Sequence, residues 1–316
     1  MEKRQLGKSG ISVYPFVFGG NVFGWTIDEK QSFAVLDAFT GAGFDCIDTA
    51  DSYSRWAPGN KGGESETIIG RWMKQRNNRQ QLVIATKVGS QMAPDKKGTS
   101  KKYILQAAED SLKRLQTDYI DLYQTHYDDE SVPVEETLEA YTQLIREGKV
   151  KAIGASNMSP ERLVASLQAS EKNGLARYET LQPEYNLYAR EKYEKNYEPI
   201  CTQYGLGVIN YYALASGFLT GKYRSEQDLS KSQRGQGIKK YLDARGRSIL
   251  AALDEVSKEY QATPAQVSLA WLLARPSVTA PIASATSAEQ LSDLAKSTGL
   301  KLSAEAIDRL NKASAY

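Results

Sequence analysis

Eight short runs of β-branched, aromatic and aliphatic residues recur along the 316-residue chain, and amphipathic segments lie between them. The runs fall near 16–18, 44–47, 82–86, 119–123, 152–155, 180–182, 207–211 and 278–282. Each has the length and composition of a strand buried on both faces. Helical periodicity fills 28–41, 64–74, 100–115, 134–147, 159–172, 193–204 and 246–260. Ser159-Pro160 and Thr263-Pro264 each give an N-cap followed by proline at the first helical position, and Gly148 marks a helix end. Strands joined through helices pair in parallel, because the crossover returns the chain to its starting edge. Eight such units predict an α/β chain closed into a (β/α)8 TIM barrel, with long loops at its C-terminal face. Ahead of the barrel, Arg4-Gln5-Leu6, a turn over 7–10 and Ile11-Ser12-Val13 predict an N-terminal β-hairpin. An open dinucleotide-binding sheet needs a glycine fingerprint after its first strand, and Gly19-Gly20-Asn21-Val22-Phe23-Gly24 lacks that spacing. No repeat or linker divides the chain, so residues 1–316 are expected to form a single barrel domain. The polar stretch 224–240 reads as a mobile lid or an unstructured loop.

Composition narrows the partners. A net charge of +2 supplies no electrostatic case for nucleic acid or a membrane surface. The two cysteines, Cys46 and Cys201, cannot make a secreted disulfide framework and point to a reducing compartment. The amino terminus lacks the apolar stretch of a signal peptide, and no apolar run approaches the ~20 residues that span a bilayer. A cytoplasmic protein is expected. One histidine and two distant cysteines cannot build an ordinary zinc site, so no metal is expected. Gly217-Phe218-Leu219-Thr220-Gly221-Lys222 has three residues between its glycines and tyrosine after the lysine, which excludes a P-loop.

The chemistry concentrates where the second, third and fourth strands end. There lie Asp48, with Tyr53 five residues on, Lys87, and His126, the only histidine in the chain. In a parallel barrel these ends share one mouth. A phenol is a poor acid at neutral pH, and an ammonium group beside it favours the phenolate. Lys87 can supply that charge, Asp48 can hold Lys87 protonated, and His126 can polarise a carbonyl oxygen beside the Tyr53 hydroxyl. Taken singly, each has an ordinary explanation: a turn aspartate, one of 19 tyrosines, a paired strand lysine, a structural histidine. Only their arrangement on three successive strands implies proton delivery to a developing alkoxide.

Those residues sit in longer motifs: Asp48-Thr49-Ala50 with Tyr53, Gly63-Glu64-Ser65-Glu66 with Gly70, Thr86-Lys87-Val88, and Asp121-Leu122-Tyr123-Gln124-Thr125-His126. Further on come 148–157, ending in Ser156-Asn157, then Leu181-Gln182-Pro183-Glu184-Tyr185-Asn186, Tyr211, and Leu219-Thr220-Gly221-Lys222-Tyr223. In these motifs and their order the chain resembles the aldo-keto reductases from about residue 4 to beyond 290, as a bacterial member of the branch that includes potassium-channel β subunits. The resemblance implies hydride transfer between a nicotinamide cofactor and an aldehyde, ketone or sugar-like carbonyl, with Tyr53 as general acid and Lys87, Asp48 and His126 in support. It implies that Ser156, Asn157 and Gln182 bind the carboxamide and that Tyr211 stacks on the nicotinamide. Leu214, Ser216, Gly217, Leu219 and Lys222 would run along the pyrophosphate, and Ser284, Thr286 and Gln290 would face the adenosine end. NADP is the implied cofactor, with NAD as the alternative. Trp25, Trp56 and Tyr127 are candidate walls of the substrate pocket. The second functional reading is a nicotinamide-binding regulatory or redox-sensing subunit with little turnover.

Three departures from the family pattern stand out. Tyr211-Tyr212-Ala213-Leu214 replaces the usual Tyr-Ser-Pro-Leu. Ser284-Ala285-Thr286 lacks the arginine that grips a 2′-phosphate in many relatives. The loop 54–62, with Arg55, Trp56 and Pro58, is long and would overhang the pocket. Substrate identity, physiological direction and oligomeric state are not legible in the residues.

Overall fold

The computed structural model describes residues 2–232 and 235–316. Strands β1 (Arg4–Gln5) and β2 (Ser12–Val13) pair antiparallel as the expected hairpin. Eight parallel strands follow: β3 (Val17–Gly19), β4 (Cys46–Asp48), β5 (Val83–Val88), β6 (Ile120–Thr125), β7 (Val150–Ser156), β8 (Tyr178–Gln182), β9 (Gly207–Val208) and β10 (Ile282–Ala283). Their order in the sheet is β10-β3-β4-β5-β6-β7-β8-β9. The seam between β9 and β10 is bridged by backbone bonds from Thr279 N to Val208 O (2.8 Å) and from Ile282 N to Asn210 O (3.0 Å). The cylinder is closed, as the repeated strand–helix alternation predicts.

Helices α1 (Glu29–Gly41), α2 (Glu64–Arg76), α3 (Lys101–Leu115), α4 (Val134–Arg146) and α5 (Pro160–Asn173) form the outer wall over the first strands. The helix expected over 193–204 is instead two, α6 (Glu191–Asn196) and α7 (Glu198–Tyr204), broken at Tyr197. Pro199 cannot donate to the preceding turn, and the Tyr197 hydroxyl is drawn off to the Met158 carbonyl at 2.8 Å. The wall is completed by α8 (Ala244–Tyr260), α9 (Pro264–Leu273), α10 (Ala288–Ala295) and α11 (Ala304–Ala313). The two segments after β10 carry Ser287 and Ser303 caps that the sequence reading passed over.

Two apolar layers hold the cylinder. Inside it, Leu6 from the hairpin packs with Val17, Cys46, Ala85, Leu122, Ala152 and Ile209, plugging the N-terminal end. The plug requires close backbone approach: a Cβ on Gly207 would lie 2.5 Å from the Gly7 nitrogen. The larger layer lies between strands and helices and includes Phe16, Phe39, Trp72, Tyr123, Tyr141, Tyr185 and Trp271.

The stretch 224–240 differs from its expectation. It carries 3-10 turns at Glu226–Lys231 and Gly235–Tyr241, while Gln233 and Arg234, also part of that expectation, lie outside the described residues. Ser225 and Asp228 cap the first turn reciprocally. Leu229, Ile238 and Tyr241 are buried, with Tyr241 stacked on Phe218 at 5.2 Å. Sparse apolar anchors, rather than a helical period, hold it down.

Candidate active site

All four proposed catalytic side chains meet at the C-terminal ends of β4, β5 and β6. Lys87 extends inward from β5 and is fully buried. Its Nζ donates to Asp48 Oδ2 (2.7 Å), to the Thr49 carbonyl (2.7 Å) and to the Tyr53 hydroxyl oxygen (2.8 Å). All three ammonium protons are thereby used. The Tyr53 hydroxyl donates to Asp48 Oδ2 at 3.2 Å. His126 stands across the mouth, its ring 6.0 Å from that of Tyr53 and edge-on, while Nδ1 lies 3.0 Å from the Ser90 hydroxyl. The backbone of His126 continues the β5 edge, its N–H bonding the Val88 carbonyl at 2.7 Å.

The electrostatics differ from the sequence expectation at one point. Burial, then the Asp48 carboxylate, push the Tyr53 phenol well above the ordinary tyrosine value. An ammonium group alone would lower it, but here the carboxylate that anchors the ammonium touches the phenol as well. Burial lowers Lys87, with Asp48 opposing it. Burial and the Lys87 charge push His126 well below the ordinary histidine value, so its imidazole is neutral.

Neighbouring motifs prove to be scaffolding. Glu66 on α2 is fully buried, accepts from Thr86 (2.6 Å) and pairs with Arg114 (2.6 Å). Ser65 bonds the Gly20 carbonyl and the Thr49 hydroxyl, both at 2.8 Å. These bonds fix the turn from Asp48 to Tyr53 against β3 and β5. Ser90 and Gln124 are site residues the sequence reading missed. Gln124 stood inside a quoted motif, while Ser90 carried no signal.

From this mouth a cleft of about 1760 Å³ runs over the barrel end, well beyond the several hundred Å³ of an ordinary small-ligand pocket. Ser156, Asn157, Gln182 and Tyr211 line it beside the catalytic cluster. Asn157 donates to the His126 carbonyl (2.8 Å) and accepts from the Tyr211 hydroxyl (3.1 Å). Leu214, Ser216, Gly217, Lys222, Ser284, Thr286 and Gln290 also line it. Ala215, Ser216 and Gly217 all have left-handed φ values (47°, 58° and 98°), an unusual turn for two non-glycine residues. A Cβ on Gly217 would meet nothing nearer than 3.8 Å, so the turn leaves an open approach to the backbone. A cleft of this volume, lined by amide groups and by this exposed turn, fits a dinucleotide. Ser284 faces inward, bonding the Gly19 carbonyl (2.7 Å) and Asn21 (2.6 Å).

Two expected positions shift. Leu219 is fully buried beneath the 215–220 turn, because the turn's kink leaves its small residues on the cleft side. Trp25 stands one ring back from the cleft, edge-on to Trp56 at 5.4 Å. The loop 54–62 overhangs the mouth, as its length suggests: Arg55, Trp56 and Asn60 line the cleft, and Trp56 is 51% exposed. Asn60 pins the loop by donating to the Gly24 (2.8 Å) and Ser54 (2.9 Å) carbonyls. Tyr127, also 51% exposed, lines the cleft beside His126, with the two rings 4.8 Å apart.

The family model for the aldo/keto reductase family matches residues 15–315. The chain belongs to that family, a class of oxidoreductases that interconvert carbonyl and alcohol groups with nicotinamide cofactors. Among its relatives it is 36% identical to the uncharacterized oxidoreductase YrpG of Bacillus subtilis (strain 168), across 98% of this chain and 95% of that one. It is 33% identical to the aldo-keto reductase YhdN of the same organism (94% and 87%). Against a probable voltage-gated potassium channel subunit beta of Arabidopsis thaliana it is 32% identical (93% and 90%). Among the described residues, no helix is long and apolar enough to cross a membrane.

Proposed function

We propose that the protein reduces an aldehyde or ketone, or oxidises the corresponding alcohol, with Tyr53 as the proton donor and NADP as the preferred cofactor. The contact that carries this reading is the 2.8 Å bond from Lys87 Nζ to the Tyr53 oxygen inside a buried Lys87–Asp48 pair. Tyr211, with Ser156, Asn157 and Gln182, would hold a reduced nicotinamide, which would supply the hydride for the carbonyl carbon. Tyr53, neutral at rest, gives its proton to the carbonyl oxygen as negative charge develops there. Lys87 then stabilises the phenolate it already touches, and Asp48 keeps Lys87 charged. With Ser90 donating to His126 Nδ1, the ring's proton sits on Nε2, where it can donate to the same oxygen. Ser156, Asn157 and Gln182 supply the donors and acceptors that match a carboxamide. Lys222, which lines the same cleft, provides positive charge in a site that lacks the family arginine. Trp56, Tyr127 and Tyr211 offer apolar faces that suit an aromatic or alicyclic carbonyl over a heavily hydroxylated one.

Tyr53→Phe tests the assignment. It should abolish steady reduction of a reactive aldehyde, followed by loss of reduced-nicotinamide absorbance, and leave cofactor binding within about threefold. Reduction at the parent rate by that variant refutes the role. Relatives named as channel β subunits favour a second reading, a nicotinamide-binding sensor with little turnover. Rapid single-turnover oxidation of bound cofactor without steady turnover across an aldehyde panel would select it.

A further inference from the structure

We infer that Gln124 is a positioning residue of this site: it holds Asp48 and takes up the second N–H of the Gln182 amide, so that only the carbonyl of that amide is left for the nicotinamide pocket. The inference rests on the reductase reading and deepens it. Gln124 lies on β6, paired with Lys87 in the parallel register with β5, and is fully buried. Its seat is made by its other register partner, Gly154 on β7, where a Cβ would come within 3.1 Å of Gln124 Cγ. Gln124 Nε2 donates to Asp48 Oδ1 at 3.2 Å, and Gln182 Nε2 donates to the same oxygen at 2.8 Å. Gln182 Nε2 also donates to Gln124 Oε1 at 3.1 Å.

These three bonds determine orientation. An ionised carboxylate only accepts, so both amides must turn their nitrogens toward Asp48. Both Gln182 N–H groups are then committed, one to Asp48 and one to Gln124. What Gln182 can offer the cleft it lines is its carbonyl oxygen, the complement of a carboxamide N–H. The opposite Asp48 oxygen, Oδ2, meanwhile holds Lys87 and touches Tyr53. Gln124 thus ties amide recognition at one end of the cluster to proton-donor alignment at the other. An apolar residue at 124 would strip a donor from Asp48 and leave the second Gln182 N–H without an acceptor, so that it competes with the carbonyl oxygen for the cleft.

Gln124→Met keeps the chain length and removes both polar atoms. Protein-fluorescence titration compares the oxidised cofactor with its 3-acetylpyridine analogue, which has no amide N–H. The parent protein should favour the carboxamide form by about tenfold, a typical value for one hydrogen bond in a buried polar network, and the variant should lose most of that preference. In turnover, kcat should fall about 10- to 100-fold with KM nearly unchanged. Gln124→Glu gives a second arm: a protonated Glu can donate to Asp48, whereas an ionised one repels it. That variant should therefore work at acid pH and fail as pH rises, unlike the parent. A purely structural residue would produce neither the lost discrimination nor the altered pH profile. Retained discrimination and kcat in Gln124→Met overturn the inference, as does a Gln124→Glu profile parallel to the parent's. If the parent protein reduces no carbonyl, the reductase reading fails, yet the binding comparison still decides the role of Gln124.

Discussion

Tyr53 keeps its proton because burial and the Asp48 carboxylate together outweigh the ammonium touching its oxygen. That balance suits a general acid: the phenol holds its proton in the resting site and yields it only to a stronger developing base. In the proposed reaction Lys87 acts when the phenolate forms, and its three bonds already end on the carboxylate, the backbone and the phenol. Lys222 lines the cleft as an exposed point charge rather than a planar fork, and under the proposed function it offsets the missing arginine. Lys222→Ala should weaken NADPH binding about tenfold and NADH binding little, measured by titrating both cofactors. Equal weakening of the two would show that Lys222 does not face the 2′-phosphate. Gln124 and Gln182 were readable as polar residues at strand ends, but their mutual bonds and their shared hold on Asp48 were not. Neither residue type nor spacing says which amide atom faces which neighbour.

Helix α2 does at the scale of an element what Asp48 does at the scale of a residue. Its first turn presents Ser65 to the loops after β3 and β4 and Glu66 to β5 itself, and its middle rests directly on α3. Gly70 permits that contact: a Cβ there would lie 2.2 Å from the Arg114 carbonyl oxygen. Gly70→Ala should force the two helices apart at a cost of about 1–3 kcal/mol, read as a lower urea midpoint with unchanged slope. A midpoint equal to the parent's would mean the α2–α3 contact relaxes freely. The motif around Gly63 and Gly70 was visible in the sequence as a family signature, without any sign that its role is packing. The eight strands and the first five helices were located to within a few residues because period and caps agree there. The 193–204 segment and the turns of 224–240 were misjudged because a proline position and three buried anchors, respectively, decide them. Both are effects of surroundings that a local pattern does not contain.

For the whole molecule, pH dependence follows from a group outside the catalytic cluster. Asp51 is 2% exposed and is pushed up to about 8 by burial and by Glu66, against the Arg114 charge, the Ser52 backbone N–H and the Lys87 charge. Its folded-state value lies above its unfolded one, so the folded protein binds the extra proton between them. The associated stability is complete below the ordinary aspartate range near 4 and is lost as pH rises toward about 8. Asp51→Asn should flatten the decline in melting temperature between about pH 5 and pH 8. A parallel decline in that variant would assign the effect elsewhere.

The sequence by itself determined the barrel, the hairpin ahead of it and the strand ends at which the proposed catalytic residues stand. Period, composition and caps are local properties, and closure follows from repeating one strand–helix unit eight times. Tertiary structure alone decided that Tyr53 rests neutral, that Ser90 orients His126, that Trp25 stands behind Trp56, and that two glutamines share Asp48. Those outcomes depend on distances of about 3 Å between residues tens of positions apart, where one shared oxygen atom settles which group gives a proton and which accepts it.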